Sequence, residues 1–438
     1  MEREIEKYLK LWVKQKNRKV LLIRGARQVG KTYSVRKLGQ SFKSYLEVNF
    51  EEHREIYTFF LSSLTPDKII EKLSLYFQQP IIPGETLLFF DEIQAAPEAI
   101  RSLRFFYEKM PDLHLIAAGS LLEFAISEVP SFGVGRIESL FMYPMTFLEF
   151  LKAENSANLV KLIKESGLFT PIEPVIHNKI IEYLKIYQLI GGLPEVINTY
   201  INTRDLMQCQ EILDNLVLTF MDDFAKYRKK VPSDKLREVF YSIVSQAGGK
   251  FKYSNISNER SSTYKSALEL LLMAGLSYKI YHTSARGLPL GSQIKENRFK
   301  IVMFDSGIYQ RLSKLNLSEY AISDYNSIIN KGKLAEIFVC NELIASGNPK
   351  LRPELFYWHR EKRGSNAEID YLISSKGNIL PIEVKSGVGG KMQSLFLFLK
   401  ERNLNTGIRV SGENFSQYDK IISIPAYAVS NLLGDINL

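Results

Sequence analysis

Short apolar runs punctuate the first 120 residues: KVLLIRG at 19–25, SYLEVNF at 44–50, TLLFF at 86–90 and LHLIAAGS at 113–120. Each is too short for a helix, and each stops at a polar residue or glycine, which is the pattern of a buried strand. The stretches between them, such as PEAIRSLRFFYEKM at 97–110, carry apolar residues at helical spacing. Strands alternating with helices predict a mostly parallel sheet covered on both faces.

Beyond residue 150 the pattern changes. Residues 156–230 read as mainly helical, broken by GGLP at 191–194. Three helices are expected next, from PSDKLREVFYSIVSQAGG, YSNISNE and SSTYKSALELLLMAGL, followed by a strand at SYKIYHT. Three helices and a strand hairpin outline a winged helix-turn-helix. From about residue 328 the order is helix (NKGKLAEIFVCNELIASG), three strands (LFYWHRE, AEIDYLISS, NILPIEVKS), helix (KMQSLFLFLKER) and a further strand (TGIRVSG). The expected division is therefore 1–155, 156–230, 231–327 and 328–438. The expected fold class is α/β: a mostly parallel sheet followed by a helical segment, a winged-helix middle domain and a small α/β C-terminal domain.

Composition narrows the class of protein. Hydrophobic residues make up 45% and charged residues 24%, ordinary values for a globular chain with several cores. The two cysteines, Cys209 and Cys340, form no CxxC pair, which points away from a disulfide framework and toward the cytoplasm. The start, MEREIEKYLK, lacks the apolar stretch of a signal peptide, and no run reaches the ~20 residues of a spanning helix. No membrane association is expected. The net charge of +9 favours an anionic partner, nucleic acid first. None of the five histidines has metal-ligand spacing.

GARQVGKT at 25–32 satisfies G-x-x-x-x-G-K-S/T, placed between an apolar strand and a helix. The loop Gly25, Ala26, Arg27, Gln28, Val29, Gly30 can close its N–H groups around phosphate oxygens at a helix N-terminus. Lys31 supplies a charge to the outer phosphates, and the Thr32 hydroxyl can coordinate Mg²⁺. ATP and Mg²⁺ are the expected ligand and cofactor, which makes the sheet of 1–155 a P-loop NTPase sheet and 156–230 its helical lid. LLFFDEIQ places Asp91 at a strand end, where a carboxylate can hold magnesium, followed by Glu92, which can orient or deprotonate a water. Ser120 ends the next strand and can face the terminal phosphate. Arg136, in FGVGRIESL, can stabilise transition-state charge.

The phosphate loop, FFDEIQ, AAGS, GVGRIESLFMYPMTFLEF, GGLPEVI, FKIVMFDSGI and NKGKLAEIFVCNEL together resemble a family of bacterial and archaeal ATPases of the AAA+ type. Its members carry a C-terminal domain of uncharacterised function. The resemblance covers nearly the whole chain. It implies that Ser120 is the sensor residue and Arg136 the arginine that follows it, acting within its own chain or on a neighbouring copy in a homo-oligomer. One local departure is the alanine in AAGS, where a hydroxyl residue often precedes Gly-Ser.

A second constellation lies in the last 110 residues. Asp370 sits in AEIDYLI, and Glu383 and Lys385 in PIEVKSG. At a period of two, Glu383 and Lys385 share one side of their strand, and Asp370 can face them from its neighbour. Two carboxylates there can bind a divalent metal, the lysine can position water beside a phosphodiester, and Glu336 on the preceding helix can add a carboxylate. The arrangement resembles the restriction-endonuclease-like fold. Tyr357, Trp358, His359 and Arg360 nearby are candidates for stacking on or touching a nucleic acid, as are Tyr264, Lys265, Lys250, Lys252 and Arg260 in the middle region. Two functions follow as expectations. One is an ATPase that acts on nucleic acid with a metal-dependent nuclease domain. The other is an ATP-driven switch or scaffold whose inert nuclease-like domain binds protein partners.

Overall fold

The structure, a computed structural model, describes residues 1–120, 122–128, 135–227, 231–257, 261–315, 317, 331–362, 364, 366–386 and 392–433. The chain forms two compact units. Unit 1 comprises Met1–Tyr143 with Asn348–Arg352, and unit 2 comprises Pro144–Gly347 with Pro353–Leu438.

Unit 1 is built on strands β1 (Val20–Arg24), β2 (Ser44–Asn49), β3 (Thr86–Asp91), β4 (His114–Ala118) and β5 (Ile137–Phe141). They lie in the order β2-β3-β4-β1-β5, and every neighbouring pair is parallel. All residues of β3 and β4 are buried, the mark of strands covered on both faces. On one face Leu22, Val48, Leu88, Phe90 and Leu115 pack with Phe60, Ile69, Leu103 and Phe106 of the flanking helices. Phe50, Phe60 and Phe90 meet edge to face there, at 5.5–5.7 Å. Because the strands are parallel, their C-terminal ends share one rim, the place where α/β sheets bind ligands. The four expected strands are present. The fifth, Ile137–Phe141, was not read from the sequence: of its five residues only Leu140 is buried, and they carry no continuous apolar run.

Unit 2 opens with helices Phe147–Ala153, Ala157–Glu165, Pro174–Ile190, Pro194–Thr203 and Leu206–Asp223. The first starts on a reciprocal cap between Thr146 and Glu149. The break at GGLP is fixed by Asp305, which accepts the Gly192 N–H at 2.7 Å. A Cβ on Gly191 (φ +78°) would stand 2.3 Å from the same carboxylate, so only glycine fits.

The middle region departs from the three-helix expectation. Helices Ser233–Ser245 and Ser261–Met273 are present, but between them only a single 3₁₀ turn, Tyr253–Asn255, is described. YSNISNE lacks apolar helical spacing, and its Ser and Asn side chains compete for backbone groups. Arg260 lies outside the described residues. Strands β6 (Ser277–Thr283) and β7 (Ile294–Met303) form the expected hairpin, but they belong to a larger sheet. That sheet continues through β8 (Phe356–His359), β9 (Glu368–Ser375), β10 (Asn378–Val384), β11 (Gly407–Ser411), β12 (Ser416–Tyr418) and β13 (Ile421–Pro425). The order is β12-β13-β11-β10-β9-β8-β6-β7. Helix Gln393–Arg402 packs Leu395, Phe398 and Leu399 against Trp358, Ile369 and Leu372. Helix Lys331–Ala345 lies against β10 and β7. Among the described residues, no helix is long and apolar enough to cross a membrane.

Candidate functional site

At the C-terminal rim of unit 1, β1 ends in the loop 25–30, and a helix starts at Lys31. The loop turns through positive φ at Gly25 (+145°), Gln28 (+65°) and Gly30 (+94°). At Gly25 a Cβ would come within 2.1 Å of the Met142 carbonyl, so the first position is closed to any side chain. Val29 is fully buried beneath the loop. The Lys31 ammonium curls back onto its own loop, donating to the carbonyls of Gly25 (3.0 Å) and Ala26 (2.7 Å). Burial lowers its pKa to about 8, against the pull of Glu92 and Asp91.

The next strands bring the partners. Thr32 Oγ1 donates to Asp91 Oδ2 at 2.9 Å, although the two residues are 59 apart in sequence. Burial raises the Asp91 carboxyl to about 6, partly offset by the Thr32 hydrogen bond. Glu92 takes the left-handed conformation (φ +48°) at the end of β3. Its Oε2 accepts from Gln94 Nε2 at 2.5 Å and from Ser120 Oγ at 3.3 Å. Ser120 in turn accepts from Arg27 Nε at 3.0 Å. With the Glu92 N–H donating to Asp91 Oδ1 at 3.0 Å, one connected set joins Thr32, Asp91, Glu92, Ser120 and Arg27, and Lys31 lies in the field of its two carboxylates. A hydroxyl beside a buried carboxylate is a hard-oxygen donor pair of the kind that suits Mg²⁺.

Arg136 does not join them. It immediately precedes β5, which runs parallel to β1 with Ile137 beside Val20. Arg136 therefore stands at the start of β1, while the loop follows its end, about 13 Å of strand away at ~3.3 Å per residue. Its guanidinium bonds to Glu108. An action of Arg136 on the phosphates held by its own chain does not fit this placement.

The second constellation does assemble in unit 2. Antiparallel pairing of β9 with β10 sets Asp370 beside Glu383, and the Val384 N–H donates to Asp370 Oδ2 at 2.8 Å. Lys385 Nζ donates to Glu383 Oε1 at 2.8 Å, while Glu383 Oε2 is buried with no partner. Helix Lys331–Ala345 aims Glu336 into the same electrostatic group. Two members were not anticipated. Lys300 of β7, only 3% exposed, ion-pairs with Glu368 and lies 3.8 Å from Asp370 Oδ1. Burial works against its charge, but Asp370, Glu368 and Glu336 outweigh that and raise its pKa. Burial, with Asp370 adding repulsion, pushes Glu336 up to about 8 and Glu383 up to about 7. Among the described residues no group of three or more His, Cys, Asp or Glu is arranged to hold a metal ion. The orphaned Glu383 oxygen and Asp370 fit only a hard cation that completes its shell from water and phosphate, the usual habit of Mg²⁺.

Residues 17–151 match the family model of an AAA domain. This fits the parallel sheet and the loop at its rim: unit 1 is a P-loop ATPase-like α/β domain. Two further models, both domains of unknown function (DUF8612 and DUF4143), match residues 181–319 and 331–427. No curated protein matches the chain. Among solved structures, the Walker-type ATPase PABY2304 of Pyrococcus abyssi is 17% identical, with a TM-score of 0.46, covering 71% of this chain and 95% of its own. The ORC1 protein of Aeropyrum pernix in complex with DNA is 12% identical, with a TM-score of 0.29, covering 73% of this chain and 92% of its own. PCH-2 of C. elegans is 12% identical, with a TM-score of 0.23, covering 62% and 66%. These scores are low, and the chemistry of the site rests on this chain's own residues.

Several residues play other parts than the sequence suggested. Tyr357 and Trp358 are buried in unit 2, with Trp358 against Phe398 at 4.9 Å, so neither offers a face to a nucleic acid. Arg360 is tied to Glu401 at 2.8 Å. Tyr264 is fully buried and donates to Glu238 at 2.5 Å, while its neighbour Lys265 is exposed. In unit 1, the side-chain bond of Arg27 to Ser120 and the part of Gln94 went unread. Arg27 is one of the variable positions of its motif, and Gln94 becomes a partner of Glu92 only once the chain turns at Glu92.

Proposed function

We propose that this chain binds ATP with Mg²⁺ in the AAA domain, hydrolyses it, and uses the cycle to act on nucleic acid through unit 2. The hydrogen bond from Thr32 to Asp91 carries the reading. It sets the Mg²⁺-binding pair beside Lys31 on one side and Glu92 on the other. Magnesium, when bound, would neutralise charge between the outer phosphates. The chain's own groups do the rest. The N–H groups of residues 26–30 wrap the phosphates, and Lys31 exchanges the carbonyls of Gly25 and Ala26 for phosphate oxygens. Glu92, steadied by Gln94, orients the attacking water and takes its proton. Ser120 and Arg27 line the terminal phosphate. Lys31→Ala should weaken nucleotide binding, and Glu92→Gln should spare binding and stop turnover. Turnover unchanged by both ends the proposal.

For unit 2, helices Ser233–Ser245 and Ser261–Met273 with the β6–β7 hairpin support a winged-helix-like element. The meeting of Asp370, Glu383, Lys385 and Glu336 supports a nuclease-like site. There Asp370 and Glu383 would hold a divalent ion and Lys385 would position water. A second reading, an ATP-driven switch whose nuclease-like domain is inert and binds protein partners, is favoured by Lys300, whose ammonium already faces the carboxylates. Incubation with labelled DNA or RNA and Mg²⁺ or Mn²⁺ separates the two: cleavage lost in Asp370→Ala supports the nuclease. Arg136, far from its own loop, would act on the nucleotide of a neighbouring copy.

A further inference from the structure

Next to the Asp370 cluster, unit 2 carries a cleft of about 540 Å³ whose walls include Gln246, Lys250, Lys252, Asn255, His359 and Glu368. It arises where helix Ser233–Ser245 ends. Gly248 (φ +79°) turns the chain over the acid cluster, and a Cβ there would stand 3.4 Å from Glu336 Oε2. The side-chain amide of Gln246 then braces the returning segment. It accepts from Lys252 N at 2.8 Å and donates to Lys252 O at 3.1 Å, and Asn255 Nδ2 joins it at 3.3 Å. The two lysines are thus presented on a fixed wall.

Neither the Lys250 nor the Lys252 ammonium has a hydrogen-bond or ion-pair partner among the described residues. Lys250 is half-buried; Glu368 attracts its ammonium, while Arg298 (paired with Glu361), Lys252 and Lys300 (paired with Glu368) repel it. Opposite, the His359 ring leaves its Nδ1 buried with no partner. Two ammonium groups without a direct partner among the described residues therefore border a concave, polar space whose one described carboxylate, Glu368, is already ion-paired with Lys300. The cleft is of ligand size. Among the described residues its lining holds no aromatic ring besides the His359 imidazole, so these residues offer little for stacking bases and no aromatic anchor of the kind a protein-docking site uses. What it does offer, ammonium groups and amides, suits phosphate and sugar.

We propose that this cleft binds the sugar–phosphate backbone of a nucleic acid, with Lys250 and Lys252 against neighbouring phosphates, and leads the strand to Asp370 and Glu383. It rests on the nuclease-like reading of unit 2 only for where the strand leads, not for its being bound. Binding of this kind is insensitive to sequence and falls steeply with salt.

The test is fluorescence anisotropy of end-labelled single-stranded DNA, single-stranded RNA and duplex DNA, about 20 nucleotides long, with the full chain in EDTA from about 50 to 200 mM salt. Lys250→Glu/Lys252→Glu should weaken binding at least about tenfold at low salt and flatten the log–log salt slope by about two. Lys250→Gln/Lys252→Gln, with an unchanged melting temperature, should weaken it less and flatten the slope equally. A matched reversal elsewhere, Lys161→Glu/Lys164→Glu on helix Ala157–Glu165, should stay within about twofold of the parent. The proposal is overturned if the parent chain binds none of the three probes, or if the Lys250/Lys252 reversal costs no more than the control. Binding that depends on Lys250 and Lys252 in a chain that cuts nothing, or whose cutting survives Asp370→Ala, upholds the cleft and removes only the nuclease reading.

Discussion

The guanidinium of Arg3 donates to the main-chain carbonyl of Val29 at 2.6 Å and, with its other nitrogen, to that of Tyr143 at 2.8 Å. Arg3 is itself buried, 6% exposed. A residue near the N-terminus therefore pins the middle of the phosphate loop to the chain that follows β5. Arg3→Ala should remove two charge-assisted hydrogen bonds, each worth ~1.5–3 kcal/mol, and leave two carbonyls unmatched. The expected outcome is a lower melting temperature and weaker ATP binding, with turnover at saturating ATP changed much less. Equal loss of binding and saturated turnover would mean that Arg3 does more than hold the loop.

Lys300 makes a sharper test of the acid cluster. Its ammonium is the buried counter-charge to Glu368 and Asp370. Removing one member of a buried ion pair costs roughly 3–5 kcal/mol, because the other charge stays behind. Lys300→Met should destabilise unit 2 by about that amount in chemical denaturation, and added Mn²⁺ should restore part of it. The double variant Lys300→Met/Asp370→Asn should recover stability without metal. A single variant as stable as the parent would show that the lysine carries no such load.

Glu342 predicts a pH effect. It is buried, accepts the Phe147 N–H at 2.8 Å, and is pushed by burial from 4.5 up to about 8. Glu149 adds repulsion, while the Phe147 N–H and the Tyr187 hydroxyl oppose the rise. The folded state holds this proton after the unfolded state has lost it. Stability from this group is therefore greatest at low pH and declines as pH rises from about 4.5 to 8. Glu342→Gln, neutral at every pH, should flatten that decline in a series of melting temperatures. Parallel curves for variant and parent would refute the assignment.

Arg136→Ala should leave ATP affinity intact and lower turnover by a large factor, since an arginine supplied to the transferring phosphate is worth about 10³–10⁵ in rate where it acts between subunits. Parent turnover per chain should then rise with protein concentration, alongside a larger mass in ATP. If Arg136→Ala turns over at the parent rate, Arg136 is no more than the partner of Glu108.

The AAA domain was legible because its chemistry is local. GARQVGKT and FFDEIQ each put their working residues within a few positions of a strand end, and parallel pairing carries those ends to one rim. Asp370, Glu383 and Lys385 were legible for a related reason: a period of two on adjacent strands fixes which side chains share a face. Lys300 was not, because it reaches the cluster from a hairpin that the sequence assigned to a different region. Nothing in FKIVMF says that its strand will pair, through β6 and β8, into the sheet of β9. Whether Arg136 faces its own loop was not legible, for the opposite reason. Its motif is recognisable, but the unread strand β5 decides the end of the sheet at which it stands. Tyr264, Tyr357 and Trp358 were candidates for touching a nucleic acid, but each is claimed by a core.

Asp305 bears on how the chain can be divided. One carboxylate receives the Gly192 N–H at the junction of two long helices and the Ile308 N–H at the head of another, 3.0 Å away. Residues on both sides of position 230 thus share a single anchor. A cut there would leave that anchor on one fragment and the Gly192 N–H, at the junction of the two helices, unmet on the other. Truncation at 230 should therefore yield no fragment that melts cooperatively on its own, whatever border the sequence suggests there.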